Sequence, residues 1–238
     1  MSLTESLVLV PGLVCDAAAW HEQVAALSGR RPVTVASHGL ADSLGAMAGR
    51  ILAAAPPRFA LAGHSMGGRV ALEVLARAPE RVSRLALLDT GFEALAAGEA
   101  GERERAGRYR LRDLARREGM LALGREWALG MVHPDRLADA AFMDVIHQMI
   151  ARAPLAQFEL QVEALLARPD RTALLATIRV PTLVLCGNED SWSPLGRHAE
   201  MVRRIPGSVL AAIPHCGHMS TLEQPAAVTR AMRVWLED

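Results

Sequence analysis

Aromatic side chains make up only 4% of this sequence, with a single tyrosine among them, and there are only three cysteines. Cys15, Cys186 and Cys216 are far apart, odd in number and free of any Cys-x-x-Cys pairing. Such usage excludes a disulfide scaffold and gives no zinc-site signature, and it suits a reducing cytoplasm, the expected location. No stretch of about 18 consecutive apolar residues occurs, so a membrane-spanning helix is not expected. The opening MSLTESLVLVPG lacks a basic segment followed by a long apolar run, so no signal peptide is expected either. Charge of one sign is also missing: 26 basic residues face 26 acidic ones. That balance gives no electrostatic reason to expect nucleic acid or an anionic membrane as partner. Metal motifs such as His-Glu-x-x-His are absent, and the one glycine-rich stretch lacks the lysine and spacing of a phosphate loop. Neither metal nor cofactor is expected.

What the 238 residues do contain is a 51% apolar composition with 22% charged residues, enough to bury one sizeable core. Short apolar runs at Leu7–Val10, Val33–Ala36, Phe59–Ala62 and Leu85–Leu88 read as strands buried on both faces. Alanine-rich segments of helical length lie between them, near 16–28, 43–55 and 66–78. The same texture returns with strands at Thr182–Cys186 and Val209–Ile213 and helices near 195–205 and 222–236. This alternation predicts an α/β fold: a mostly parallel, doubly wound sheet of about six strands. Between about 92 and 168 the strand signal vanishes, and glycines and prolines divide a segment rich in Ala, Leu, Arg and Glu into several short helices. Its Arg/Glu cluster from Glu99 to Glu118 reads first as a solvated helix face carrying i,i+4 pairs.

Gly63-His64-Ser65-Met66-Gly67 is a Gly-x-Ser-x-Gly motif set between a predicted strand and a predicted helix. A sharp strand-to-helix turn brings backbone segments close together, and glycines two residues either side of Ser65 leave room for it. The turn pushes the hydroxyl out at the carboxyl edge of the sheet, where open α/β folds bind ligands. A serine hydroxyl needs a base, and the base needs an acid to fix its tautomer. His218 follows the last strand, and Asp190 follows the Thr182–Cys186 strand, giving the chain order Ser, Asp, His. The rivals are Asp89 and Glu189 for the acid and His215 for the base; His64 is expected to pack or hydrogen-bond. An oxyanion needs two backbone donors, expected from Leu13, in the loop after the first strand, and from Met66. Trp192, Met219, Trp127 and Met131 are candidate pocket walls. With few aromatics and ten methionines, the pocket is expected to be aliphatic and adaptable. Cys15 and Cys216 are expected to be small apolar filler.

Taken together, Gly63–Gly67, Gly187–Pro194 and Gly217-His218 resemble the α/β-hydrolase superfamily, over nearly the whole chain from Leu7 to Trp235. The resemblance implies a reduced core that lacks the two initial strands of the full pattern, as in small bacterial serine esterases. It implies a core from 1–91 and 169–238, with 92–168 as an inserted helical cap. Pro11-Gly12 stands where many relatives carry His-Gly. The implied activity is cleavage of a carboxylic ester, thioester or lactone of a small molecule through an acyl-Ser65 intermediate. The alternatives are C–C bond hydrolysis of a diketone-like acid, or a lyase or ligand receptor on the same fold.

Overall fold

The computed structural model describes residues 5–237. The outermost residues of the expected core segments, 1–4 and 238, lie outside the described residues, and with them the start of the MSLTESLVLVPG stretch. Six strands form one sheet: β1 (Leu7–Val10), β2 (Val33–Val35), β3 (Phe59–His64), β4 (Val82–Leu88), β5 (Thr182–Gly187) and β6 (Val209–Ile213). Their spatial order is β2-β1-β3-β4-β5-β6, and every pairing is parallel. The chain leaves β1 toward one edge and returns past it toward the other, so the winding reverses between β1 and β3. Such a switch point opens a crevice beyond the carboxyl ends of the two strands. The loops after β1 and β3 therefore flank one cleft.

Every residue of β1, β3 and β5 is buried, because helices cover both faces of the sheet. Edge strand β6 is largely open, with Val209 63% exposed. The covering helices are α1 (His21–Leu27), entered through a 3-10 turn at Ala17–Trp20, α2 (Leu44–Ala54) and α3 (Met66–Arg77). Ser43 caps α2 by accepting from Ala46 N–H, which satisfies one of the donors left free at a helix start.

Between β4 and β5 come four helices: α4 (Glu99–Glu118), α5 (Met120–Ala128), α6 (Ala140–Arg152) and α7 (Leu155–Leu166). A short α8 (Thr172–Leu175) leads back to the sheet, followed by α9 (Leu195–Arg204), α10 (Ser220–Glu223) and α11 (Pro225–Glu237). The expectation of several short helices needs amending at α4, whose 20 residues make it one long rod. Seven of those residues are arginines, and i,i+4 pairs such as Arg108–Glu104 support the rod along its side. Among the described residues no helix is long and apolar enough to cross a membrane.

Candidate active site

Ser65 occupies the single step between β3 and α3, with φ 55° and ψ −120°, a backbone conformation that costs a non-glycine residue energy. The neighbours over-determine it. Ser65 N–H donates to Leu88 O at 2.9 Å, and Thr90 Oγ1 donates to Ser65 O at 2.6 Å. A Cβ on Gly63 would collide with the Gly67 carbonyl, and one on Gly67 with the Val10 carbonyl. Both glycines are therefore demanded by close backbone approach.

His218 lies in the loop between β6 and α10, and Asp190 in the loop after β5. His218 Nδ1 is 2.8 Å from Asp190 Oδ2, and His218 Nε2 is 2.8 Å from Ser65 Oγ. A carboxylate only accepts, so Nδ1–H donates to Asp190 and Nε2 is left to accept the serine proton. The second oxygen of Asp190 accepts from Trp192 N–H at 2.8 Å and Ser193 N–H at 2.9 Å, which fixes the carboxylate in place. Burial opposes charge on both partners, yet their mutual attraction wins. It holds the Asp190 carboxyl below its usual range and lifts the His218 imidazole above its own.

The rival residues are accounted for elsewhere. Asp89 directly follows β4 and is fully buried, accepting from Gly187 N–H at 3.0 Å and from the Ser220 hydroxyl. Burial, and then the Asp190 charge, push its carboxyl well above the usual range. Glu189 accepts from Cys216 N–H at 2.9 Å, pinning the neighbouring loop. His64 Nε2 lies 2.8 Å from the His218 carbonyl and so donates to it. Burial, and then the His218 charge, lower its pKa to about 4 and keep it neutral. His215 is exposed and packs edge-on against His133. The three cysteines are free and buried, and burial raises the Cys15 thiol to about 12. His133, Asp135 and His215 bring ligand atoms within 4.8 Å of one another, a cluster drawn from two loops that linear spacing cannot reveal.

Leu13 and Met66 both border the cleft beside Ser65. Met66 is the first residue of α3, so its N–H has no intrahelical partner. A Cβ on Gly12 would sit 3.2 Å from Ser65 Cβ, so the loop after β1 runs directly against the serine. Two buried side chains hold that loop. His38 Nε2 is 2.9 Å from Pro11 O, and Gln161 Oε1, from α7, accepts from Val14 N–H at 2.8 Å.

Glu223, at the end of α10, was not among the sequence candidates. Its buried carboxylate accepts from Gly217 N–H at 3.1 Å, Met219 N–H at 3.0 Å and His133 N–H at 2.7 Å, gripping the backbone on both sides of His218. A lone glutamate in a polar stretch gave no signal of this.

The cleft holds about 550 Å³. Two of the expected wall residues, Trp127 and Trp192, border it, stacked at 5.2 Å with planes 26° apart, and Trp192 stands 5.1 Å from the His218 ring. The other two do not. Met131 and Met219 are buried in the core, and the Met131 carbonyl accepts His218 N–H at 2.7 Å. Nor is the cleft aliphatic, as composition suggested. Six arginines border it, four of them from or beside α4 to α7, because part of the charged face of α4 points inward. Composition counts residues and carries no information on which face of a helix overhangs a site.

Residues 7–231 match the profile of the Alpha/beta hydrolase family. A pimeloyl-[acyl-carrier protein] methyl ester esterase of Nitrosomonas europaea is 29% identical over 231 residues, 92% of this chain and 90% of that protein. A 2-hydroxy-6-oxononadienedioate/2-hydroxy-6-oxononatrienedioate hydrolase of Cupriavidus pinatubonensis is 28% identical over 73% of this chain and 60% of that protein. Among solved structures, a malate-bound thermophilic esterase from Thermogutta terrifontis superimposes with a TM-score of 0.86 at 29% identity, covering 98% of this chain and 89% of that one. On the extent of the match and the fold, this chain belongs to the alpha/beta hydrolase family.

Proposed function

We propose that the chain is a serine hydrolase that cleaves a carboxylic ester, thioester or lactone of a small molecule, with Ser65, His218 and Asp190 as its triad. The observation that carries the reading is the unbroken relay from Asp190 through His218 to Ser65, with contacts of 2.8 Å at both steps. Ser65 Oγ attacks the substrate carbonyl as its proton passes to His218 Nε2. Leu13 and Met66 N–H stabilise the oxyanion, a contribution that for one such donor is worth roughly 10²–10³ in rate. Collapse breaks the bond to the leaving group, which takes the proton from His218 and leaves acyl-Ser65. Water, deprotonated by His218, then attacks the acyl carbon, and the second collapse returns the proton to Ser65. Asp190 orients the imidazole and stabilises its charged form throughout. Residues 92–168 act as a cap that roofs a cleft sized for a small molecule.

A p-nitrophenyl ester series of increasing acyl length tests this. The wild type is expected to release p-nitrophenol, and Ser65→Ala to lose roughly 10⁶ in turnover, the scale on which removing a triad nucleophile acts. Undiminished turnover by Ser65→Ala would overturn the reading. A second reading, C–C bond hydrolysis, is favoured by the match to the Cupriavidus pinatubonensis hydrolase. It predicts turnover of a dienoic ring-fission acid in the absence of ester turnover.

A further inference from the structure

We propose that the cleft selects esters bearing a second, free carboxylate, and that the Arg69 guanidinium holds this carboxylate one helical turn from Ser65. The inference rests on the serine-hydrolase reading and names the substrate class for the same site.

The wall charges are unequal. Arg69, Arg103, Arg108, Arg110, Arg168 and Arg197 border the cleft, against only Glu104 and Glu126 among carboxylates. Most of these arginines have protein counter-charges. Glu104 serves two, at 2.9 Å to Arg108 and 2.7 Å to Arg168, and Glu126 pairs with Arg110 at 2.9 Å. Arg103 pairs with Glu99, and Arg197 lies 3.3 Å from Glu93.

Arg69 is the exception. Among the described residues it has no carboxylate within ion-pair distance, and its Nη1 donates to the Glu93 carbonyl at 2.8 Å. The remaining N–H groups of the fork have no protein acceptor assigned to them. A guanidinium presents five donors in a rigid plane that matches a carboxylate bidentately. Holding the Glu93 carbonyl therefore explains only part of what this side chain offers. Its position on α3 is fixed relative to the serine, since Arg69 N–H points back at Ser65 O at 3.5 Å. Four residues along a helix is about 6 Å. The side chain is half-buried over Gly91, where a Cβ would collide with Arg69 Nη2.

Burial, and then the charges of Arg168 and Arg197, lower its pKa to about 9. A cation crowded by cations in a partly desolvated cleft is unfavourable until an anion joins it. A substrate carboxylate supplies that anion. It also removes the repulsion from Arg168 and Arg197, so one ligand charge relieves several contacts at once.

The test compares mono-p-nitrophenyl glutarate with p-nitrophenyl butyrate, whose acyl chains are similar in size and differ in charge. The ratio of their kcat/KM values should favour the glutarate ester by about 10- to 100-fold in the wild type, the range of a charge-assisted hydrogen-bonded pair. Arg69→Gln should bring the ratio close to one, mainly through KM for the charged ester, and Arg69→Lys should restore part of it. A wild-type ratio at or below one, or a ratio unmoved in Arg69→Gln, overturns the proposal. Free glutarate gives a measurement that needs no variant. It should inhibit butyrate-ester hydrolysis competitively, and absence of inhibition contradicts the proposal. If neither ester turns over, the hydrolase reading fails by itself. Calorimetric binding of glutarate to the wild type, weakened in Arg69→Gln, still decides the carboxylate site.

Discussion

Two carboxylates sit within reach of the histidine network, and their surroundings give them different work. Asp190 is held ionised by His218 and by two backbone N–H groups, while Asp89, enclosed and next to the Asp190 charge, has its carboxyl pushed toward the protonated form. Asp190→Asn should therefore cost roughly 10⁴ in kcat, as loss of the tautomer-fixing acid does. Asp89→Asn should cost far less, and steady-state kinetics on the two variants separates the roles. Equal losses would point to Asp89 as the working acid. The raised His218 pKa has a definite sign in a pH profile. Below that pKa the imidazolium cannot accept the Ser65 proton, so kcat/KM should rise with pH through a midpoint above the ordinary histidine value of about 6.5. An acid limb below that value would contradict the Asp190–His218 coupling. Ser65, Asp190 and His218, which the structure brings together, stood out in the sequence because Ser65 sits in a Gly-x-Ser-x-Gly motif and the other two follow apolar strand runs. Met131 and Met219 misled, because nearness in sequence to the site says nothing of the direction in which a side chain leaves the backbone.

Individual elements show where pattern reading succeeds. All six strands were legible as short apolar runs, although only β1, β3, β4 and β5 are buried along most of their length, and the departures fall at their ends. β3 runs on to His64, since its pairing with β4 continues as far as Leu88 up to the turn itself. β4 begins at Val82 although Ser83 and Arg84 interrupt the apolar run, because Val82 and Arg84 pair with Phe59 and Ala60 of β3 and the register shifts at Ser83 between them. The short α10 contributes a feature no pattern announced: Glu223 gripping the His218 loop. Glu223→Gln would turn one accepting oxygen into a donor facing backbone N–H groups. It should destabilise the fold by about 1–3 kcal/mol and lower kcat, readable by denaturant unfolding alongside ester kinetics. Unaltered stability would mean that the loop is held by something else.

At the scale of the whole molecule, the carboxyl ends of the sheet strands position Ser65, Asp190 and His218, and helices between β4 and β5 border the cleft beside them. The switch point between β1 and β3 brings the Gly12 loop against Ser65, and Gln161 on α7 ties that loop to the helical insertion. Gln161→Ala leaves Val14 N–H without its acceptor and should lower kcat more than it raises KM for a neutral ester. A pure KM effect would show that α7 serves substrate binding alone. The inward-facing arginines were hidden in the sequence because amphipathic spacing gives a helix two faces without saying which one roofs a cleft. The claim beneath all of this is that the Ser65 hydroxyl is made nucleophilic by its neighbours. The most direct measurement is intact mass with peptide mapping after exposure to a fluorophosphonate. The account predicts one adduct, on Ser65, formed much more slowly in Asp190→Asn and absent in Ser65→Ala. An unlabelled wild type, or an equal adduct on Ser65→Ala, would contradict it.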